Sequence, residues 1–112
     1  MKNKIFFSIF ILLILFISCE NTNSLSTNWN KCMEMYDQND YDNCIVCLND
    51  IVENKTDPEY SAKAIYMISE IYLNEYKEYN ISKSFLNQII IDYSDTETAK
   101  IALFTIAYIN AN

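Results

Sequence analysis

The sequence predicts an all-α fold, in which a short array of antiparallel helix pairs follows an N-terminal export signal. Three observations support this prediction. Glycine is absent and there is a single proline, which leaves few residues for the tight turns of β-hairpins. Apolar residues recur at intervals of three and four along most of the chain. The chain also aligns with itself after a shift of 38 residues, and repeats of about this length are typical of stacked helix pairs.

The first 18 residues have the composition of a signal peptide. Lys2 and Lys4 precede an apolar run over residues 5–17 that only Ser8 interrupts. Signal peptides have a charged N-terminus, a short apolar stretch and a small residue before the cleavage site. The run is shorter than the roughly 20 apolar residues that a membrane-spanning helix needs. We therefore expect residues 1–18 to be removed on export.

The sequence at the expected cleavage site is Phe16-Ile17-Ser18-Cys19, which resembles the lipobox of bacterial lipoproteins with Phe where Leu is usual. The resemblance implies that Cys19 becomes the N-terminus, acylated on its sulfur and its amine, in the outer or the cytoplasmic membrane of the cell envelope. Residues 19–27 then form a flexible tether, and residues 28–112 form a domain outside the cytoplasm. The alternative is an ordinary signal peptide or an uncleaved anchor in which Cys19 is incidental.

The repeat places Tyr41–Asn74 on Tyr79–Asn112 without a gap, and ten of the 34 aligned pairs are identical. Five helices are predicted within this frame. The first, at about 27–38, follows the polar tether. The helices at 41–54 and 79–93 are aligned partners in the repeat. Their apolar residues follow a helical period and are Cys44, Cys47, Leu48, Ile51 and Val52 in one, and Phe85, Leu86, Ile89 and Ile90 in the other.

The remaining two helices, at 58–76 and 96–110, have recognisable starts. Asp57 is an N-cap residue before Pro58 in the first turn, and Asp95 takes the same place without the proline. After each start the apolar residues return every three or four positions. The turns between all five helices are short and polar, so neighbouring helices should be antiparallel.

These helix pairs resemble tetratricopeptide repeats, whose first helix has small and large residues placed as at Ala64, Ile68, Ser69 and Tyr72. The second helix of that pattern matches Tyr41-Cys44-Leu48 and Tyr79-Ser82-Leu86. The resemblance implies about two and a half repeats in a right-handed solenoid, with close helix approaches at Cys32/Cys44 and Ser69/Ser82. The repeat is longer than the usual 34 or so residues, and Asn39 and Glu78 stand where the turn glycine is usual.

The stretch from Phe85 to Ile109 is also similar to the longer repeats of bacterial envelope proteins. Examples are the lipoprotein of the outer-membrane β-barrel assembly machinery and the coordinator of the Tol–Pal system. Such repeats bind proteins, so the resemblance implies that the partner is an envelope protein or peptide. In tetratricopeptide proteins two rows of first-helix residues line the concave groove, and here those rows are Trp29, Tyr66, Phe104 and Met33, Glu70, Tyr108. The alternative is that these side chains form the core between repeats.

Three cysteines remain in the predicted domain, and several interpretations stay open for them. They are small core residues in the simplest interpretation. The repeat alignment brings Cys32 close to Cys44, so a disulfide between these two is the second. Cys44 and Cys47 form a Cys-x-x-Cys pair, but within a helix and without the further ligands that a zinc site needs.

Composition excludes several classes of function. Without Lys2 and Lys4, six lysines face 15 acidic residues, a formal charge of −9, whereas nucleic-acid binding needs a basic surface. Histidine is absent, which removes the commonest general base and metal ligand. The acidic turn around Asp40 lacks the glycine and the terminal glutamate of a calcium loop. We therefore expect no catalytic residues, no metal site and no cofactor.

The last predicted helix is apolar on nearly all sides, with polar side chains between residues 99 and 109 only at Lys100 and Thr105. The end of a helical array should have a polar outer face, so residues 96–112 are expected to dock on a second copy, a larger partner or a hydrophobic lid. A truncated repeat protein would have the same feature. Two functions remain: a membrane-anchored interaction module, or a structural lipoprotein that self-associates or caps an assembly without binding a peptide.

Overall fold

The computed structural model describes residues 25–112 apart from Thr56, and this part of the chain is all-helical, with five helices and no strand. The described part of helix α1 covers residues 25–37, and α2 covers Tyr41–Glu53. Helices α3, α4 and α5 cover Pro58–Asn74, Tyr79–Asp92 and Glu97–Ala111. The all-α prediction is confirmed. Helices α2 to α5 begin and end within two residues of their predicted bounds, and α1 ends one residue before its predicted end. The predicted signal peptide and Cys19 lie outside the described residues.

The end of the predicted tether is helical, because α1 includes residues 25 and 26, before its predicted start at 27. The start of α3 is as expected: the Asp57 side chain accepts a hydrogen bond from the Glu59 backbone N–H at 2.9 Å, and Pro58 follows it. The prediction of Asp95 as the cap of α5 was wrong. Thr96 has that role, and its Oγ1 accepts from the Ala99 backbone N–H at 3.2 Å.

In the turns, residues other than glycine adopt the left-handed backbone conformation. Asn39 has φ 60° and Lys77 has φ 58°, and these residues end the turns after α1 and α3. They are 38 residues apart, so the two turns share one geometry in the register of the repeat. Lys77, rather than the predicted Glu78, therefore occupies the position where glycine is usual. Lys55, between α2 and α3, adopts the same conformation with φ 49°.

Side-chain contacts show that sequential helices run in opposite directions. Tyr76, just after α3, hydrogen-bonds Asp42 at the start of α2. Lys83, near the start of α4, donates to Asn110 at the end of α5 at 3.4 Å. Helix α3 is central among these elements, because it packs against α2, α4 and α5. In contrast, α2 and α4 make no close backbone approach to each other.

Two clusters of buried residues form the core and meet along α3. One joins α1 and α2 with Ala64, Ile68 and Ile71 of α3, and the other joins Ala62 and Ile65 of α3 with α4 and α5. Fully buried Ser69 and Ser82 allow α3 and α4 to approach closely, and the Ser82 hydroxyl donates to the Ser69 carbonyl oxygen at 2.9 Å. The largest buried side chains are Leu48, Ile68 and Ile71 in the first cluster and Ile65, Leu86 and Ile89 in the second.

The predicted disulfide partner of Cys32 was wrong: the structure pairs Cys32 with Cys47, and Cys44 is a free buried thiol. Cys44 and Cys47 are one helical turn apart, so both face α1. The Cα atoms of Cys32 and Cys47 are 5.5 Å apart, a usual spacing for a disulfide. The Cys44 thiol instead donates to the Cys32 carbonyl oxygen at 3.3 Å, and burial raises its pKa. The predicted close approach of Cys32 and Cys44 is therefore present, but the covalent bond lies one turn further along α2.

Candidate functional site

The main candidate site is an open groove of about 410 Å³ between α3 and α5, which we call the α3–α5 groove. One wall is the C-terminal half of α3 and the other is the outward side of α5. The exposed side chains are mainly apolar, with Phe104 at 79% and Tyr108 at 68% exposure. The lining residues are Tyr66, Glu70, Leu73 and Asn74 from α3, and Ile101, Phe104, Thr105 and Tyr108 from α5.

A hydrogen bond between the two walls fixes the floor of the groove. The Tyr66 hydroxyl and Thr105 Oγ1 are 3.0 Å apart. Because the Thr105 hydroxyl donates to the Ile101 carbonyl oxygen at 2.9 Å, its oxygen is left to accept from Tyr66. Partial burial raises the pKa of the Tyr66 hydroxyl. The two walls are therefore held at a defined separation.

A carboxylate from α3 fixes the N-terminal end of α5. The two oxygens of Glu59 accept from the backbone N–H groups of Glu97 at 3.0 Å and Thr98 at 3.1 Å, and one also accepts from the Thr98 hydroxyl. These donors have no partner within their own helix, and the helix dipole favours a negative charge at this end. The hydrogen bonds, led by that of the Thr98 hydroxyl, lower the pKa of Glu59. Glu59 thus positions α5 against α3.

A second cavity of about 590 Å³ adjoins the groove at Leu73, Asn74 and Tyr108. It lies between the end of α3, the start of α4 and the end of α5. Two of its lining residues, Lys77 and Lys83, are basic, and no acidic side chain lines it. An elongated site therefore runs from an apolar end at Phe104 to a basic end at these lysines, on a chain that is acidic overall.

Four of the six side chains predicted to line a groove come together in this site: Tyr66, Glu70, Phe104 and Tyr108. Trp29 and Met33 do not, because both are partly buried against the first core cluster. Trp29 contacts Tyr60 edge to face, with ring centroids 6.1 Å apart. For these two residues the alternative interpretation, packing in the core, describes the structure.

Several groove residues were missed from the sequence, chiefly Leu73, Ile101 and Thr105. A helical spacing signal existed for α5, where residues 101, 104, 105 and 108 recur at three and four. The signal was hidden because apolar residues occupy nearly every position of α5. The buried face of α5 consists of Thr98, Ala99 and Ala102, whereas Ile101, Leu103, Phe104 and Tyr108 are at least half exposed.

Among residues 25–55 and 57–112, no group of three or more acidic or cysteine side chains is arranged to hold a metal ion. None of the helices in the same part of the chain is both long and apolar enough to cross a membrane. No protein-family model, curated protein or solved structure matches the chain. The functional argument therefore depends on the site itself.

Proposed function

We propose that this chain is a membrane-anchored protein-binding module of the bacterial cell envelope, built from tetratricopeptide-like repeats in a short right-handed solenoid. The observation that carries the proposal is the α3–α5 groove, where exposed Phe104 and Tyr108 of α5 lie beside half-buried Tyr66 of α3. A hydrogen bond and a carboxylate cap hold these two helices together. A contiguous exposed apolar surface on a folded domain marks a site that interacts with a protein, a ligand or a membrane.

The repeat interpretation has its own support in the turns and contacts. The left-handed residues Asn39 and Lys77 are one 38-residue repeat apart. Helix α3 contacts its neighbours in the chain and also α5, while α2 and α4 stay apart. In stacked helix pairs the first helices of successive pairs adjoin in this way, and the second helices lie outside them.

The shape and charge of the site indicate the kind of partner. An extended or helical peptide would place apolar side chains on Phe104 and Tyr108. An acidic side chain of the same peptide would then reach Lys77 or Lys83 in the adjoining cavity. The combination of an apolar end and two lysines gives the site its specificity.

Membrane anchoring through acylated Cys19 completes the proposal. Anchoring to the membrane strengthens partner binding by a groove of low affinity, because an anchored domain meets envelope partners at a high effective concentration. Several acyl chains hold a protein stably where a single chain does not. Mass spectrometry of protein extracted from membranes tests this part: a mature chain that begins at an acylated Cys19 is expected, and an unmodified chain that begins at Met1 would contradict it.

Co-purification from native membranes tests the groove. Tyr108→Ala should release the bound protein, because Tyr108 lines both cavities and is 68% exposed. Ile91→Ala is the matched control, since Ile91 is 76% exposed on α4 and lines neither cavity. Equal recovery of the partner with both variants would rule out the groove.

The second candidate function is self-association or capping without a bound peptide, which the apolar exposed surface of α5 favours. Sedimentation of the full chain in density-matched detergent separates the two candidates. A monomer at all concentrations excludes self-association, whereas a dimer that Leu103→Asp dissociates supports it.

A further inference from the structure

Three cysteines meet where α1 packs against α2, and the disulfide uses only two of them. Cys32 and Cys44 are completely buried, whereas Cys47 is half-buried at the edge of the first core cluster. The disulfide joins Cys32 to Cys47 and leaves the Cys44 thiol free. The cluster therefore holds a thiol beside a disulfide, and a thiolate is the nucleophile that attacks such a bond.

Cys44 is close to Cys32 as well as to Cys47. The Cys44 Sγ lies 3.3 Å from the carbonyl oxygen of Cys32, and Cys44 and Cys47 face α1 from successive turns of α2. The disulfide in the structure joins residues 15 apart in the sequence, and a bond between Cys32 and Cys44 would join residues 12 apart. Because the entropy of loop closure depends on the logarithm of the loop length, this difference favours neither pairing by much.

Cys47 differs from the other two cysteines because it can be reached from outside the core. It lines an open cavity of about 280 Å³ between α1 and the C-terminal half of α2. Its Sγ is 3.9 Å from the Asn28 carbonyl oxygen, an acceptor that a thiol can use and a disulfide sulfur cannot. A thiolate at Cys47 would be in contact with water, whereas burial raises the pKa of the Cys44 thiol. The free thiol is thus better solvated at Cys47 than at Cys44.

From these observations we infer that the three cysteines form a thiol-exchange switch, which makes Cys47 a modification site for small disulfides. In the first step Cys44 loses its proton to water, and its thiolate attacks the Cys32 Sγ. The bond between Cys32 and Cys44 forms, the bond between Cys32 and Cys47 breaks, and the electron pair leaves on the Cys47 Sγ, which takes a proton from water. The step consumes no oxidant or reductant, because one disulfide and one thiol are present before and after it.

The second step takes place in the cavity at Cys47. The Cys47 thiolate attacks a small disulfide, so that one half of this molecule is bound to Cys47 through a new S–S bond and the other half leaves as a thiolate. Lys31, Asp50 and Glu53 give the cavity charges of both signs, so a neutral disulfide meets the least opposition. The inference concerns α1 and α2 alone, and it depends neither on the α3–α5 groove nor on membrane anchoring.

Mass spectrometry of peptides that keep their disulfides tests the switch. The full chain carries Cys19→Ser, so that only the three cysteines of the cluster are present. It is incubated in mild detergent with hydroxyethyl disulfide, a small neutral disulfide, and the reaction is stopped with acid. We expect the hydroxyethylthio group on Cys47 and a disulfide between Cys32 and Cys44. An adduct on Cys44 with the original disulfide intact would overturn the inference, and so would the absence of any adduct.

Two matched variants separate exchange from simple opening of the helices. Cys44→Ser removes the attacking thiol, so Cys47 should acquire no adduct. In that background, Ser82→Cys places a thiol at the equivalent position of the next repeat, where the Ser82 hydroxyl donates to the Ser69 carbonyl oxygen as the Cys44 thiol donates to that of Cys32. This buried thiol has no disulfide beside it and should react about tenfold or more slowly than Cys47 does in the parent chain. Equal rates would mean that local opening exposes both thiols, which would overturn the inference.

Cys47→Ser tests the alternative pairing directly. After reduction and air oxidation, this chain should contain a disulfide between Cys32 and Cys44, and its circular dichroism should match that of the parent chain. Two free thiols, under conditions in which the parent chain regains its disulfide, would mean that Cys44 does not reach Cys32 and would overturn the inference. The position of the adduct in the parent chain decides the question independently of whether Cys47→Ser folds.

Discussion

Removing the Glu59 carboxylate should loosen α5 from α3. In Glu59→Gln one side-chain oxygen is left to accept from Thr98, while the new NH₂ group faces the Glu97 N–H, a donor that then has no acceptor. Loss of an N-terminal cap costs about 1 kcal/mol, and a hydrogen bond to a charged group in a favourable setting up to about 3 kcal/mol. Glu59 is only partly buried, so we expect a loss of about 1 kcal/mol in the free energy of unfolding.

This loss corresponds to a decrease of roughly 4–8 °C in the unfolding midpoint of a domain of this size. Far-UV circular dichroism of the full chain in mild detergent measures it. Glu97→Gln is the matched control, because the Glu97 side chain is exposed and its surface pair with Lys100 contributes little. A shift for Glu59→Gln no larger than that for Glu97→Gln would refute the capping role.

The pH dependence gives an independent check of the same contact. The hydrogen bonds lower the pKa of Glu59 below its usual value of 4.5, so the folded state binds this proton less readily than the unfolded chain. The contribution of Glu59 is therefore complete above pH 4.5 and is lost as the pH falls through the lowered pKa. The stability difference between wild type and Glu59→Gln should shrink over that acidic range. A difference that stays constant down to strongly acidic pH would contradict the assignment.

Three further predictions concern the core and the turns. Reduction should lower the free energy of unfolding of the wild type by about 3 kcal/mol, because the disulfide closes a loop of 15 residues. The stability of Cys32→Ser, which lacks the disulfide, should not change on reduction, whereas Cys44→Ser should lose as much stability as the wild type. Lys77→Gly should raise the midpoint by relieving a left-handed backbone that costs other residues about 1 kcal/mol, whereas Lys83→Gly within α4 should lower it by a similar amount. Ser82→Leu should cost about 1–3 kcal/mol by forcing α3 and α4 apart, and a thermal midpoint equal to that of the wild type would contradict the close approach.

Local patterns predicted the helices well, because capping and apolar spacing depend on neighbouring residues. Asp57 and Pro58 determine the start of α3 almost alone. The cap of α5 was harder to choose, since Asp95 and Thr96 are both good N-cap residues and the backbone geometry selects the second. Lys77 could not be predicted as a left-handed residue, because nothing in its side chain favours that conformation.

Contacts between distant residues were predicted less well. The alignment brought Cys32 near α2, but one helical turn separates Cys44 from Cys47, and choosing between them requires the rotation of the helix. Residues aligned by the repeat were predicted to line the groove together, yet Trp29 is partly buried whereas its aligned counterpart Phe104 is exposed. The difference arises because α1 packs against the α3 side chains that include Tyr60, whereas no helix among the described residues covers the outer side of α5.

Site-specific photo-cross-linking in the membranes of producing cells tests the central claim, partner binding at the α3–α5 groove, most directly. A benzoylphenylalanine in place of Tyr108 should cross-link one protein, and a second substitution in the groove, Ile101→Asp, should abolish the product. The same probe in place of Ile91 should give no such product, because that side chain is exposed away from both cavities. Equal cross-linking from the two positions, or a product that Ile101→Asp leaves unchanged, would contradict partner binding at the groove.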